Sequence, residues 1–283
     1  RDSLYTGNGN GTTGGQSISN GINLSANGGM VWIKARNVAA DHDLFDTSRG
    51  VYKYLISDNT DAQHTANTTN LTAFNTNGFT LGPDSTGNVN SNDNGAGAAC
   101  TYASWTFRKQ AKFFDIVSYT GDGVSGRAIS HNLGSTPGCM IVKCTSSAQA
   151  WCVYHQATGN TQYLYLNATN AAATYLGMWN NTSPTSTNFT VGNWAGVNNS
   201  GDTYIAYLFA SNAGGFGSAG TDNVITCGSF TNGTRVSLGY EPQWIMCKST
   251  VGTGQWWIQD NIRAMSLTNT ITLQANTSSA ETN

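Results

Sequence analysis

The residues best equipped for chemistry in this chain of 283 residues gather in one short stretch, Asp41-His42-Asp43, with Asp46 and Arg49 close behind. An imidazole between carboxylates could serve as a general acid or base, or ligate a metal ion. The same residues also suit a polar turn closed by an Asp–Arg pair, and an internal repeat favours that reading: the matching positions of the next copy, Ala150 to Cys152, carry none of the cluster. His64, His131 and His155 are scattered, and no acidic pair recurs between copies in a setting suited to acid–base hydrolysis. Asn90-Ser-Asn-Asp93-Asn-Gly95 has the opening spacing of a calcium loop, yet it supplies one carboxylate and puts Thr101 where a bidentate Glu is required. A hard cation needs more charge, so the segment reads as a long loop. The cysteines (Cys100, Cys139, Cys144, Cys152, Cys227 and Cys247) show no CxxC spacing, and Cys139, Cys144, Cys152 and Cys247 lie in apolar, strand-like runs. They read as buried reduced thiols. No catalytic residue, metal or cofactor is expected.

The aromatic residues point towards binding instead. Trp32, Trp105, Trp151 and Trp244 recur at strand-like positions and suit cores. Trp179 and Trp194 sit among turn formers, in Met178-Trp-Asn-Asn181 and Gly192-Asn-Trp-Ala195, where an indole flanked by amides could stack on a sugar. Trp179, Trp194, Asn180 and Asn193 are therefore the candidate contacts for a glycan or a partner, with loop-to-core anchoring as the competing role for the two indoles.

Whatever those residues do, strands must position them. Tyr119-Thr-Gly-Asp-Gly, Met140-Ile-Val-Lys143 and Trp151-Cys-Val-Tyr-His155 form one copy of a unit. Tyr5-Thr-Gly-Asn-Gly, Val31-Trp-Ile-Lys34 and Leu44-Phe45 begin another, and Phe230-Thr-Asn-Gly, Trp244-Ile-Met-Cys-Lys248 and Trp256-Trp-Ile258 a third. Lys34 and Lys143, Tyr54 and Tyr163, and Thr60 and Thr169 are all separated by 109 residues. The separation falls to 102 between Tyr102 and Tyr204, because the loop Pro83 to Ala99 is longer in the first copy. In the third copy Ile271-Thr-Leu273 is matched to Leu164 to Leu166, and the closing strand has no counterpart. The chain is therefore expected to continue beyond Asn283, or to have that sheet completed by another chain, because an unpaired sheet edge is a liability. An upstream part is likewise expected before Arg1.

Short alternating runs bounded by Gly, Asn, Asp and Ser predict an all-β chain of tandem β-sandwich domains, jelly-roll or lectin-like, the third incomplete. The expected bounds are 1–111, 112–220 and 221–283. Within them Met30 to Lys34 is a buried strand with Val31 and Ile33 on one face and Trp32 on the other, and Arg1 to Gly29 is edge strands and turns without helix. Charged residues make up 10% of the chain, with 13 Lys and Arg against 15 Asp and Glu, so no basic field exists to attract nucleic acid. No apolar run approaches the roughly 20 residues that cross a bilayer as a helix. With 39% hydrophobic and 11% aromatic residues, the chain has enough to bury and is read as folded.

Leu4-Tyr-Thr-Gly-Asn-Gly9, Val31-Trp-Ile-Lys34, Leu44-Phe-Asp-Thr-Ser-Arg-Gly50, Phe79-Thr-Leu-Gly82, Ser130-His-Asn-Leu-Gly134 and Tyr204-Ile-Ala-Tyr207 occur in that order. Over nearly its full length the chain so resembles an uncharacterised β-rich domain that recurs, often in tandem, in virion and tail-fibre-like proteins of marine bacteriophages. The resemblance implies a structural virion protein with a lectin-like sandwich and no catalytic residues to carry over. Expected partners are other virion proteins, further copies of the chain in a homo-oligomer, a trimer by preference, and a host-surface glycan. A capsid decoration or head fibre is the alternative within virions, and a secreted carbohydrate-binding module the alternative outside them.

Overall fold

Apolar side chains alternating in runs of four to eight residues form strands through most of the chain. The computed structural model describes residues 1–65, 68–84, 86–263 and 271–282. With 37% strand against 4% helix in antiparallel sheets, the fold is all-β and sandwich-type. Two compact units emerge: Arg1–Arg108 with Gln243–Lys248 and Gln255–Asn283, and Lys109–Pro242 with Ser249–Gly254.

In the first unit, strands β1 (Asp2–Thr6), β2 (Gln16–Ile18), β3 (Gly29–Ala35), β4 (His42–Asp46), β5 (Lys53–Ile56), β6 (His64–Thr65), β7 (Leu71–Asn75), β8 (Gly78–Leu81) and β9 (Thr101–Arg108) build two sheets. A six-stranded sheet runs β1-β9-β3-β4-β5-β6, and a smaller one, β2-β8-β7, covers one of its faces. Strand periodicity decides what lies between them: Val31, Ile33 and Ala35 point into this core with Phe45, Phe79 and Leu81. Trp32 points the other way, edge-on to Trp105 at 6.0 Å. One expectation fails here, because Leu24–Asn27 is a single helical turn, α1, whose N-terminal Asn23 side chain accepts from Ala26 N. A single turn leaves no 3.6-residue period to be read.

The second unit repeats the plan. Strands β10 (Phe114–Thr120), β11 (Arg127–Ser130), β12 (Pro137–Cys144), β13 (Cys152–His155), β14 (Gln162–Tyr165), β15 (Ala173–Thr174), β16 (Asn188–Val191) and β17 (Thr203–Ala210) are joined by two helical turns, α2 (Leu176–Trp179) and α3 (Ala195–Asn198). Its large sheet runs β10-β17-β12-β13-β14-β15, the same order as in the first unit, with β11-β16 as the small sheet. Equivalent residues do equivalent work. Tyr5 stacks on Tyr102 and Tyr119 on Tyr204, each pair at 5.1 Å and 14°. Gly7 and Gly121 are needed because a Cβ would lie 2.1 Å from Ser91 O in one unit and 2.0 Å from Asn199 O in the other. Lys34 and Lys143 are fully buried, their ammonium groups donating to the next carbonyl, Ala35 O at 2.7 Å and Cys144 O at 2.8 Å.

The strands expected in a third copy form a meander within the first unit: β18 (Trp244–Cys247), β19 (Trp257–Asp260) and β20 (Leu273–Gln274). Trp256 N donates to Asn276 Oδ1 and Trp256 O accepts from Ala275 N, each at 2.9 Å. Trp151, Asn167 and Leu166 make the same pair of bonds in the second unit, and His42, Asp58 and Ser57 make it in the first. That register corrects the expected match: Leu273, which pairs with Ile258, takes the place of Leu164, which pairs with Val153. A shift of two residues preserves the in–out alternation, so the pattern alone could not fix it. The meander lies on the Trp32–Trp105 face of the large sheet: Asp260 Oδ2 accepts from Trp105 Nε1 at 2.8 Å, and Trp244 meets Phe107 edge-on at 5.3 Å. The leading part of residues 221–283, including Phe230, belongs to the second unit.

Candidate functional site

The strongest surface feature of the second unit is an aromatic platform on the two loops that carry α2 and α3. Gly192 N donates to Met178 O at 2.8 Å and Trp194 N to Gly177 O at 3.0 Å, which fastens one loop to the other. Gly192 makes that approach possible, since a Cβ there would sit 2.2 Å from Gly177 O. Gly177 in turn leaves room for the Tyr175 ring, which would be 2.5 Å from a Cβ. Tyr175 and Trp194 consequently meet edge to face at 5.6 Å and 89°, 43% and 37% exposed, with Leu176 55% exposed beside Tyr175 in sequence. Asn193, on the Trp194 loop, is also exposed.

A buried amide anchors this loop pair. Asn198 is fully buried; its Nδ2 donates to Asp122 Oδ1, Val124 O and Gly192 O at 2.9–3.0 Å, and its Oδ1 accepts from Asp122 N at 3.1 Å. Asp122 is held below the usual carboxylate range, first by the Val124 N–H and then by Asn198, and pairs with Arg127 at 3.4 Å. Asn90 plays the same part in the first unit, bonding Asn8 and Gly82 O. There, however, the residue before the carbonyl that accepts from the Tyr102 hydroxyl is Thr86, where Trp194 precedes the acceptor of Tyr204. The first unit thus lacks the indole and has a polar cavity of about 350 Å³ instead, whose lining includes Asn10, Thr86, Asn92 and Asp93.

The expected contacts separate. Trp194 and Asn193 are at the platform. Trp179 is not: only 1% exposed, it donates its indole N–H to Gln162 O at 3.1 Å and packs edge-on against Tyr154, so no glycan reaches it. The helical turn α2 rotates Trp179 inward while leaving Leu176 out. Asn180 closes that turn in the left-handed region at φ 52 and accepts from Ser125 Oγ at 3.0 Å, a structural use of its side chain. Tyr175 and Leu176 were missed. Their signal was two large apolar residues before a glycine in a segment without alternation.

The ionisable cluster of the first unit is buried at His42, Asp43 and Asp46. His42 is fully buried and its Nδ1 accepts from Trp32 Nε1 at 2.9 Å; burial, then Lys34, pushes its pKa well below the ordinary histidine value. Asp43 is pushed well above the carboxylate range by burial, then Asp84, and accepts long bonds from Asn70 at 3.5 Å and Asn88 at 3.3 Å. Asp46 receives Arg49 N and Nε at 2.8 and 2.5 Å, and Asp260 receives the same two groups of Arg263 at 2.9 and 2.7 Å. Asp93 turns its own loop by accepting from Gly95 N at 2.8 Å. All six thiols are free; Cys100, Cys139, Cys144 and Cys152 are buried as expected, whereas Cys227 and Cys247 are partly exposed, Cys247 because its strand β18 has a neighbour on one side among the described strands. Among the described residues no three His, Cys, Asp or Glu side chains gather as ligands for a metal ion. No helix among them is long and apolar enough to cross a membrane.

No curated protein and no solved structure matches the chain. Its matched residues, 1–283, span the whole sequence, and on that match the chain belongs to the family described as a domain of unknown function, DUF7483.

Proposed function

We propose that this chain is a non-catalytic structural protein of a bacteriophage virion, part of a tail fibre or related appendage, and that its second unit touches a host-surface glycan through Tyr175, Trp194 and Asn193. The observation that carries the binding part is the exposed, right-angled Tyr175–Trp194 pair, held by backbone bonds in a unit whose other tryptophans, Trp151 and Trp179, are buried. An indole face with an exposed amide beside it matches the C–H face and hydroxyls of a pyranose. The virion part rests on the resemblance of its ordered motifs, from Leu4–Gly9 to Tyr204–Tyr207, to domains of phage appendage proteins. The buried ionisable groups also serve packing: Lys34 and Lys143 bond their neighbours' carbonyls, and Asp46 and Asp260 bond arginines three residues on.

A glycan array probed with the chain and with Trp194→Ala tests the binding part; a defined set of glycans bound by the first and lost by the second is the expected result. Binding that survives the substitution, or none at all, removes the platform from the reading. Antibody labelling of purified particles under the electron microscope tests location. Label on the appendage is expected, label on the head would favour a capsid decoration or head fibre, and unlabelled particles a secreted carbohydrate-binding module.

A further inference from the structure

In the first unit β3 lies between β9 and β4, and in the second β12 lies between β17 and β13. Both central strands are buried along their whole length. Their counterpart β18 pairs with β19 alone among the described strands, and all four of its residues are only half-buried. A strand that is central in two copies is an edge in the third, with one row of peptide groups that bonds no other strand among the described residues.

We propose that the open edge of β18 is a strand-docking site whose ligand is an antiparallel strand of the β9 and β17 type. Those two strands, Thr101-Tyr-Ala-Ser-Trp-Thr-Phe-Arg108 and Thr203-Tyr-Ile-Ala-Tyr-Leu-Phe-Ala210, share Thr-Tyr at the start, an aromatic residue at the fifth position and Phe at the seventh. Their registers specify the docked geometry. Trp105 faces Trp32 and Tyr207 faces Ile141, so the fifth residue of the ligand lies opposite Met246; Phe209 faces Cys139, so the seventh lies opposite Trp244. Backbone bonds supply affinity and the alternate aromatic side chains supply selection, as in other cases of β-strand addition.

The test uses the whole chain and a synthetic peptide of the Thr203–Ala210 sequence, with terminal lysines for solubility. Amide hydrogen exchange is followed at Trp244–Cys247. Alternate amides of β18 should be protected, their exchange slowing about tenfold at a peptide concentration ten times the dissociation constant. A peptide carrying Ala206→Pro should give no protection, because proline neither donates nor fits a central strand. The proposal is overturned by absence of protection at millimolar peptide, or by equal protection from the proline version. It also fails if the β18 amides that do not bond β19 are already protected in the chain alone, with light scattering then showing whether a second copy occupies the edge.

Discussion

Replacing Asp58 by Asn, the residue that holds the same place as Asn167 and Asn276 in the other copies, should stabilise the first unit at neutral pH. Asp58 accepts from His42 N at 3.0 Å. Burial, its largest perturbation, lifts its pKa from 3.8 to about 6 despite that bond, and Asp41 lifts it further while Lys34 opposes. Because the folded state binds this proton more tightly than the unfolded chain does, the contribution of Asp58 is whole below about pH 4 and is lost as the pH rises through 6. Two pKa units correspond to about 3 kcal/mol. Asn accepts the same bond with no charge to desolvate, so Asp58→Asn should gain about 3 kcal/mol at pH 7.5 and almost nothing at pH 4. With a urea slope of about 2 kcal/mol per molar, the midpoint at pH 7.5 should rise by roughly 1.5 M. Asp2, raised to about 6, and His42, pushed down, receive nothing from Asp58 and titrate alike in both proteins, so the main difference between the two pH profiles comes from position 58, with smaller ones from Asp43 and Lys34, whose pKa values Asp58 raises. An unchanged midpoint at pH 7.5, or a gain of equal size at pH 4, would refute the assignment of cost to the buried carboxylate.

Asp260→Ala leaves the Trp105 indole N–H without its acceptor and the buried Arg263 guanidinium with the longer bonds to Ile258 O and Glu281 Oε2, both at 3.3 Å, and should cost about 3–5 kcal/mol in urea unfolding; the double variant Asp260→Leu/Arg263→Met should recover much of it. Trp179→Ala should destabilise the second unit by about 3–5 kcal/mol, whereas Trp194→Ala should cost about 1 kcal/mol, and thermal melts of the two variants would expose an inverted order. The Cys152 thiol, fully buried and pushed up to about 12 by that burial, should react with a thiol reagent at pH 8 only as fast as the chain unfolds, a rate read directly from the labelling kinetics.

Buried charge in this fold follows a recurring form. Asp46-x-x-Arg49 and Asp260-x-x-Arg263 end equivalent strands, and each arginine also donates to the strand's own backbone, at Leu44 O and Ile258 O. In the second unit His155 and Thr158 stand in their place and close the turn with Thr158 N and Oγ1 donating to His155 O. The additional role of Asp260 is its bond to Trp105, which ties the meander to the large sheet; Arg263 lies 5.4 Å over the same ring, and Arg36 meets Glu281 at 2.8 and 2.9 Å. Breaking such pairs is costly because the remaining charge has no water to turn to.

Local pattern determined the strands, because side-chain alternation and turn residues act within a few positions of themselves. Val31 and Ile33 opposite Trp32, the equivalence of Lys34 with Lys143 and the burial of the thiols at Cys144 and Cys152 were all readable before any coordinates. Tertiary structure decided what depended on distant partners. Trp179 and Trp194 have nearly the same polar neighbours in sequence, yet one helical turn and a bond to Gln162 O put the first in the core, while Tyr175 holds the second at the surface. Leu273 could take either of two registers of equal alternation until Ile258 and the Trp256–Asn276 bond selected one. Sequence likewise placed β18 to β20 after the second copy, but only the fit of Asp260 to Trp105 and of Trp244 to Phe107 seats them on the sheet of the first.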